Sequence, residues 1–370
     1  MVPARDTRTA IVVGAGIGGL ATAAALRRCG WQPIVLERAA ELRPVGAAIG
    51  LAPNAIRVLE ALGVGEAVLA TGAQAASAAI LTADGHVLCE LPADLAAGSV
   101  AILRSDLQAI LAHGDERLGA EVSGVSPDGS VRLTDGTVAQ ASLVVGADGL
   151  HSVVRRGVAP GGRLRYAGYT AWRGVVDLPV EPGRWTESWG RGGRFGLVDV
   201  GHGRTYWFAT ANVAQAAKDE GRPELLDRFA RWHDPIEAII TATPAEAIVR
   251  HDVYDLDPLP RWSAGVVTLL GDAAHAATPA LGQGAAQALE DVIALVDALS
   301  TRADVETAVR TYECRRRARA TTMMRLARRF DRLAQLESPA LRRLRDLIVG
   351  RAPETYQRRQ YEAILRPTYD

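Results

Sequence analysis

One stretch near the start of the chain, residues 10–38, constrains the fold more than any other part of the sequence. A short apolar run leads into a glycine-rich turn, an alanine-rich segment follows, and a second apolar run ends at an acidic residue, Glu37. This order predicts a strand, a tight turn, a helix and a second strand. The residues of the turn are Gly14, Gly16, Ile17, Gly18 and Gly19.

Three of these glycines have separate physical roles in such a unit. Gly14 permits the turn, Gly16 lets the backbone approach a pyrophosphate, and Gly19 lets the helix pack closely on the strand. The start of the helix offers free N–H groups and the positive end of the helix dipole to phosphates. Glu37 ends the second strand at the distance where a carboxylate accepts a hydrogen bond from a ribose hydroxyl. The stretch therefore predicts a nucleotide-binding unit.

The composition limits what else the chain can do. Its 370 residues are enough for two domains, and its 42 basic and 42 acidic residues leave no overall positive field for nucleic acid. Cys29, Cys89 and Cys314 fit no metal-binding spacing, so we expect free thiols in a reducing compartment. We expect neither a signal peptide nor a membrane-spanning segment, and predict a soluble cytoplasmic protein.

A second motif, Asp148 followed by Gly149, comes directly after an apolar run. A capped helix with an arginine in its first turns is expected next. Asp148 would lie at the carboxyl end of a strand, where open α/β sheets bind their ligands. Arg104 precedes another expected helix, with Ser105 or Asp106 as its N-cap, and is predicted to contact an anion.

Between residues 166 and 260 the sequence alternates and is rich in aromatic residues, which predicts an antiparallel sheet with two faces. A hairpin is expected at residues 78–91. We expect one face to pack on helices such as 224–232 and the other to line an apolar pocket. The candidates for that pocket are Trp172, Arg173, Tyr206 and Trp207.

A third motif, Gly271 followed by Asp272, ends another buried apolar run. A loop that contains Pro279 follows, and a long helix is predicted over about residues 284–299. Asp272 can accept a hydrogen bond from a ribityl or ribose hydroxyl, and the helix dipole can point at a group that becomes anionic. The residues at the start of that helix are Gly282, Gln283, Gly284 and Ala285.

These three motifs, in this order and spacing, resemble the single-component FAD-dependent aromatic hydroxylases, the para-hydroxybenzoate hydroxylase-like group A flavoprotein monooxygenases. The resemblance covers roughly residues 9–300. It implies an α/β fold in which a Rossmann-like FAD-binding domain holds an inserted antiparallel β-sheet substrate domain, with helices at the C-terminus. The predicted boundaries are 9–72, 98–160 and 262–305 for the FAD-binding domain, 73–97 and 161–261 for the substrate domain, and 306–370 for the helical segment.

The resemblance also implies which residues hold FAD. The glycine turn would bind the diphosphate, Glu37 with Arg38 beside it the adenosine ribose, and the backbone near Val122 the adenine. Gly271 and Asp272 would hold the ribityl chain. Arg104 would contact FAD, and Asp148 and Gly149 would take part in binding both FAD and nicotinamide. Arg43 matches an arginine in a mobile loop. The loop from Pro279 through Gly282, Gln283, Gly284 and Ala285 would lie against the isoalloxazine.

The implied reaction consumes NADH or NADPH and O2, and a flavin hydroperoxide hydroxylates an electron-rich aromatic or heteroaromatic small molecule. The chemistry requires no metal or nucleophile, and no metal-ligand set is recognisable in the sequence. Ala280 stands where some purine-hydroxylating relatives carry an acid, which argues against urate. The candidate catalytic residues are His275, Arg204, Tyr206 and Arg173, with His251 as a further candidate.

Alternatives stay open. An epoxidase or reductase on the same scaffold, or a non-catalytic flavin-binding protein, would keep the same FAD residues. A halogenase is disfavoured because it needs a pocket lysine, and the single lysine, Lys218, lies in the expected sheet-to-helix connection. The arginine-rich helices after about Arg310 could form a basic amphipathic surface for a membrane, or cap the fold or form a dimer contact, and we favour the second. A monomer or homodimer without integral membrane contact is expected.

Overall fold

The computed structural model describes residues 8–42, 47–219 and 221–366. Its strands are β1 (Thr9–Val13), β2 (Gln32–Leu36), β3 (Ala48–Leu51), β4 (Ala73–Gln74), β5 (Ser77–Thr82), β6 (Val87–Leu91), β7 (Val100–Leu103), β8 (Val122–Val125), β9 (Ser130–Leu133), β10 (Val138–Gln140), β11 (Leu143–Gly146), β12 (Leu164–Val176), β13 (Arg184–Trp189), β14 (Gly193–Asp199), β15 (Thr205–Asn212), β16 (Val249–Leu256), β17 (Ser263–Ala264) and β18 (Val267–Leu269). Its α-helices are α1 (Ile17–Arg28), α2 (Pro53–Ala61), α3 (Gly65–Thr71), α4 (Ala93–Ala96), α5 (Arg104–Leu111), α6 (Val153–Val158), α7 (Arg222–Phe229), α8 (Ile236–Ala242), α9 (Asp272–His275), α10 (Gly284–Thr301), α11 (Val305–Ala334), α12 (Pro339–Gly350) and α13 (Glu354–Leu365).

A mostly parallel sheet carries the three sequence motifs. Its strand order is β17-β18-β11-β1-β2, and only the β17–β18 pair is antiparallel. The strands β1, β11 and β18 each run into one motif, at Gly14, Asp148 and Gly271. Because the carboxyl ends of parallel strands meet at one edge of a sheet, the three motifs lie along a single edge. The predicted strand, turn, helix and strand at the N-terminus are confirmed by β1, α1 and β2.

The predicted antiparallel sheet is confirmed for the strands β16-β12-β15-β14-β13, and the β5–β6 hairpin extends it through a parallel pair between β13 and β5. One face is buried against α7 and α8, and Trp172, Trp207 and Phe195 of that face pack with Phe229 of α7. Alternate residues of a strand point to opposite faces. Arg173 and Tyr206, which neighbour the two tryptophans in sequence, therefore lie on the other face.

That second face meets a small antiparallel sheet with the order β3-β7-β4. Ala48 and Leu103 of the small sheet pack with Trp185 and Tyr206 of the large one. The approach is close at Gly50, where an added Cβ would lie 3.2 Å from the Trp185 ring. This pairing places the second face of the large sheet toward the nucleotide-binding half of the chain.

The long helix α11 connects the two halves. It packs against α10 and against the 3-10 turn Pro279–Leu281. At its start, the Asp304 carboxylate accepts a hydrogen bond from Thr307 N at 2.8 Å, which caps the helix. No helix in the described ranges is both long and apolar enough to cross a lipid bilayer.

Some predicted details differ or stay untested. The helix α5 begins at Arg104 itself and its N-cap is Leu103, so the predicted cap by Ser105 or Asp106 is wrong. The reason is that β7 pairs with β3 up to Leu103, and Arg104 N donates to the carbonyl of Ala47 as the chain turns into the helix. The cysteines Cys29, Cys89 and Cys314 are free, as predicted. Arg43 lies outside the described residues, and the domain boundaries stay a prediction.

Candidate active site

The glycine turn leaves an open space in front of the start of α1. Gly14 has φ 103°, and a Cβ added there would lie 2.6 Å from the carbonyl oxygen of Ala147. A Cβ added at Gly19 would lie 1.9 Å from the carbonyl oxygen of Gly14. By contrast, a Cβ at Gly16 would meet no atom within 4 Å. The first and last glycines are thus required by the protein's own packing, whereas Gly16 borders free space that fits a phosphate.

Glu37 is anchored to this turn. One carboxylate oxygen accepts from Ala15 N at 2.8 Å and the other from Ala39 N at 2.9 Å. The carbonyl of Glu37 accepts from Ala120 N at 2.8 Å, so the segment that leads to Val122 lies beside this acid. Arg38 is exposed next to it. The residues predicted to hold the adenosine half of FAD are therefore neighbours, although their contacts with FAD stay predictions.

Asp272 and Arg104 come close across the cleft. Burial raises the pKa of the Asp272 carboxyl, and the charges of His275 and Arg104 oppose that rise. Water still reaches the side chain of Asp272, although protein surrounds it, and Arg104 is exposed as well. This combination is typical of a cleft lined by polar groups.

Asp148 acts as a helix cap in this structure. Its carboxylate accepts from Ser152 Oγ and from Val153 N, each at 2.6 Å. Gly149 has φ 73°, a conformation that favours glycine. A cavity of about 260 Å³ lies beside this motif and is lined in part by His151 and Arg156. None of the glycine-turn residues lines that cavity, so it is separate from the space in front of Gly16.

The loop before α10 reverses sharply. It runs through the 3-10 turn Pro279–Leu281 into Gly282, which has φ 63°, and Gln283 is the N-cap residue of α10. Added Cβ atoms at Gly282 and Gly284 would meet nothing within 4 Å. Ala285 follows in the first turn of the helix. The free N–H groups of a helix of 18 residues therefore face open space.

A buried charge network holds this loop from behind. Arg316 of α11 donates to Asp291 Oδ1 at 2.7 Å and to Glu290 Oε2 at 2.6 Å. The other oxygen of Asp291 accepts from Gly271 N at 3.0 Å and contacts His275 Nε2 at 2.6 Å. Burial alone would raise the pKa of Asp291, but His275 and Arg316 lower it to about 2. The network thus fixes the Gly271 turn.

His275 belongs to this network and packs on Trp262, with a centroid separation of 5.1 Å. It is buried, and its described contacts do not include the other candidate catalytic residues, Arg173, Arg204 and Tyr206. Its catalytic role stays a prediction, and these contacts indicate a structural one. The same network reaches the loop through Asn54, which donates to Glu290 at 2.7 Å and to Gln283 at 3.1 Å.

One row of residues crosses the second face of the large sheet. The strand register aligns Arg173 with Phe208, Phe208 with Gly196, and Gly196 with Glu187. A Cβ at Gly196 would lie 2.0 Å from the Phe208 ring, so that ring lies across the glycine. Arg173, Phe208 and Glu187 are half-buried. We call these four residues the sheet row; with strands about 4.8 Å apart it is about 14 Å long.

The rows of residues on either side of the sheet row are covered by other parts of the protein. On one side, Tyr206 packs under the small sheet. On the other side, Trp189, Arg194 and Thr210 are buried, and Arg194 donates to Asp331 of α11 at 3.1 Å. The sheet row is therefore the open strip between the small sheet and α11.

The cationic end of the sheet row is built from three of the sequence candidates. Arg173 Nη1 lies 2.5 Å from His251 Nε2. Burial and then the charge of Arg173 lower the pKa of His251 to about 4, so the imidazole is neutral at pH 7. Burial raises the pKa of Tyr206, and the charge of Arg173 opposes this. Arg204 lies in the β14–β15 hairpin turn and is not part of this cluster.

The acidic end was not singled out in the sequence. Glu187 Oε1 accepts from Trp189 Nε1 at 2.7 Å and from Arg194 Nη1 at 3.2 Å, while its Oε2 has no hydrogen-bond partner among the described residues. Burial raises the pKa of Asp331, which Arg194 opposes. Thr278, at the start of the Pro279 loop, also lowers the pKa of Asp331. Thr278 Oγ1 and Asp331 Oδ2 are both buried, and neither has a hydrogen bond of ordinary geometry. The acidic end therefore lies beside that loop.

His251 makes a testable contribution to acid sensitivity. Its pKa is about 4 when folded against 6.5 when free, so the unfolded chain binds more protons between these values. We expect stability to be complete above pH 6.5 and to fall as the pH drops to 4, by up to about 3 kcal/mol. In His251→Gln, urea unfolding should lose this pH dependence, whereas His86→Gln, at an exposed histidine, should keep it. Equal slopes in wild type and His251→Gln would contradict the burial of a neutral imidazole.

The protein presents two sites. The first is a nucleotide-binding cleft, formed in front of Gly16 and by the loop before α10, and the second is a separate surface for a small molecule, the sheet row. Together they define a nucleotide-dependent enzyme. The family model described as "FAD binding domain" matches residues 6–327, and the chain belongs to that family. It is an FAD-dependent monooxygenase of the single-component aromatic hydroxylase type, as the sequence motifs predicted. FAD is its cofactor, and NAD(P)H is the co-substrate typical of the family.

The relatives are similar over most of their length. The chain is 42% identical over 346 residues to the aurachin C monooxygenase/isomerase of Stigmatella aurantiaca, covering 89% of this chain and 90% of that protein. It is 41% identical over 351 residues to the 3-amino-4-hydroxybenzoate 2-monooxygenase of Streptomyces cremeus, covering 88% and 87%. The crystal structure of Klebsiella pneumoniae HpxO complexed with FAD and uric acid matches with a TM-score of 0.88 and 29% identity, covering 98% of this chain and 97% of that one. The confirmed fold class is thus shared along the whole chain.

Proposed function

We propose that the substrate of this enzyme is an aromatic ring with an acidic or keto oxygen at one end and a nitrogen that carries hydrogen at the other. The sheet row carries this proposal, because it presents a guanidinium at Arg173, an aromatic ring at Phe208 and a free carboxylate oxygen at Glu187. The relatives' named compounds, 3-amino-4-hydroxybenzoate and uric acid, both carry oxygen substituents and N–H groups on one ring system, which supports this substrate class.

Each part of the sheet row has a distinct role in this proposal. The oxygen of the substrate accepts a charge-assisted hydrogen bond from Arg173, which lies beside the neutral His251. The aromatic ring of the substrate stacks on the Phe208 ring, and the Phe208 ring has room to lie on the sheet because residue 196 is a glycine. Glu187 Oε2 accepts the N–H and holds negative charge next to an electron-rich ring. The closed rows on both sides limit the access of water to the bound ring.

We infer that FAD lies along the cleft edge, with the diphosphate at Gly16, the ribityl chain at Asp272 and the isoalloxazine at Gly282 and Gly284. The open space at these glycines and the charge of Arg104 support this arrangement. When bound, FAD supplies the reduction by nicotinamide and the activation of O2. The start of α10 favours negative charge in front of it, by up to ~2 kcal/mol. A cytoplasmic location, consistent with the free cysteines, is part of the same proposal.

The proposal is tested by anaerobic reduction of the FAD-loaded enzyme with NADH and with NADPH. The panel contains 3-amino-4-hydroxybenzoate, 4-hydroxyquinoline and the nitrogen-free 4-hydroxybenzoate. We expect the nitrogen-containing compounds to accelerate reduction at least tenfold more than 4-hydroxybenzoate. Under ¹⁸O₂ the product should then carry one labelled hydroxyl oxygen. Equal acceleration by all three compounds would contradict the role of the N–H group.

Glu187→Gln should separate recognition of the N–H group from the rest of the site. The amide keeps an acceptor for Trp189 and Arg194 but lacks the charge, and a hydrogen bond to a charged group is worth about 1.5–3 kcal/mol. We expect kcat/KM for the amino compound to fall about 10- to 100-fold with unchanged FAD content. Glu181→Gln, at an exposed acid that pairs with Arg184, is the matched control and should have little effect. An equal loss with 4-hydroxybenzoate would contradict the assignment.

A further inference from the structure

We propose that helix α12 is a docking surface for an anionic phospholipid bilayer, on which it lies flat without inserting across it. Its outward side carries four large apolar residues that no described part of the protein covers. These residues, which we call the α12 apolar face, are Leu341, Leu344, Leu347 and Ile348, with 51%, 52%, 48% and 61% of their surface exposed. Clusters of exposed apolar residues on one helix mark interaction surfaces.

The orientation of α12 is fixed by the contacts of its other residues. Arg345 is buried, donates to the carbonyl of Ala334 at 3.1 Å, and lies 5.0 Å from the centroid of the Trp189 ring. The far end of the helix approaches the edge strand β6 at Gly350. Because these contacts fix the inner side, rotation of the helix cannot bury the α12 apolar face, which stays directed at solvent.

The charge around this face is strongly positive, although the whole chain is balanced. Residues 339–351, which form α12 and the residue after it, contain four arginines and one acidic residue. Arg332, Arg343 and Arg351 are exposed, and none of the three forms an ion pair with another described residue. Asp346, the single acid within α12, is paired with Arg345. Apolar side chains flanked by unpaired arginines are typical of helices that lie in the headgroup region of anionic membranes.

A second copy of the chain fits this surface less well. A two-fold interface across α12 would bring two copies of the same arginine-bearing surface together, and their like charges repel. Phospholipid headgroups of negative charge complement them instead. The absence of a membrane-spanning helix in the described ranges agrees with surface attachment.

The test is flotation of the FAD-loaded enzyme with vesicles of equal parts phosphatidylglycerol and phosphatidylcholine, and with phosphatidylcholine vesicles alone. We expect binding to the anionic vesicles at least tenfold tighter than to the neutral ones, and loss of most of it at roughly 0.5 M salt. Equal binding to both vesicles, or binding to neither, would overturn the proposal. A dimer in solution that breaks up on Leu344→Gln would replace the bilayer by a second copy.

Two double variants separate the apolar and charged contributions. Leu344→Gln with Ile348→Gln should weaken binding at least tenfold, and Arg343→Gln with Arg351→Gln by roughly fivefold per arginine. Val138→Gln with Leu118→Gln, at exposed apolar positions far along the chain, is the matched control and should bind as wild type does. All of these variants should retain FAD and its reduction by nicotinamide, so failure of the docking proposal is distinguishable from failure of the substrate proposal. Unchanged vesicle binding of the α12 variants would overturn the docking proposal.

Discussion

Gly16→Ala is expected to fold and to lose FAD, whereas Gly19→Ala is expected to lose the fold itself. A methyl group at residue 16 meets no protein atom within 4 Å, and φ −70° at this position suits alanine. It would occupy the space proposed for the diphosphate. At residue 19 the methyl group would lie 1.9 Å from a backbone oxygen, which cannot move without separating α1 from β1. Purified apo-proteins compared by circular dichroism and FAD titration measure both effects.

The expected loss of FAD affinity in Gly16→Ala is about 10- to 100-fold, since hydrogen bonds to a charged phosphate are worth about 1.5–3 kcal/mol. Gly350→Ala is the matched control, because a Cβ at that residue makes only an ordinary contact, 3.5 Å from the carbonyl oxygen of Leu88, and lies in α12, away from the residues proposed to hold FAD. It should bind FAD normally. Tight FAD binding by Gly16→Ala would show that the diphosphate lies elsewhere, and a folded Gly19→Ala would contradict the close packing of α1 on β1.

The parts of the molecule that local sequence determines were predictable. Gly14, with φ 103°, and Gly19, which packs on Gly14, have the conformations that their spacing indicated. The strand before Asp272 and the helix after Gln283 were also indicated by the sequence, because each is an apolar run with a definite start or end signal. The alternation of strand residues even separates Trp172 from Arg173, but it does not state which face packs on helices. The structure assigns the helix-covered face, because α7 and α8 pack on the side that carries Trp172.

The residues that the sequence did not reveal are joined over long separations. Glu187 and Arg194 lie on adjacent strands, and Asp331, the second partner of Arg194, comes from a helix 137 residues after it. Nothing in the local pattern around Glu187 distinguishes it from an exposed strand residue. Its signal is the cross-strand register, which aligns it with Gly196 and Phe208. Similarly, His275 was a candidate catalytic residue, yet its side chain contacts Asp291.

Arg316→Met is expected to destabilise the protein by about 3–5 kcal/mol, because it leaves two buried carboxylates without their cation. Glu290 and Asp291 are fully buried, and both accept hydrogen bonds from Arg316. The loss should extend to FAD, because Asp291 also accepts from Gly271 N at the turn before Asp272. Urea unfolding of the holo- and apo-proteins, with FAD titration, measures the two consequences separately.

Arg315→Met is the matched control, since Arg315 precedes Arg316 but forms an exposed pair with Asp297, and exposed pairs are worth at most about 1 kcal/mol. Adding Glu290→Gln and Asp291→Asn to Arg316→Met removes the unpaired charges and should restore much of the stability. Acid unfolding gives an independent measurement. The pKa of Asp291 is about 2 when folded, so its stabilisation is present above pH 3.8 and is lost as the pH falls toward 2. In Arg316→Met that loss should begin at higher pH, and an unchanged acid transition would mean that Arg316 does not hold the Asp291 carboxylate in its ionised form.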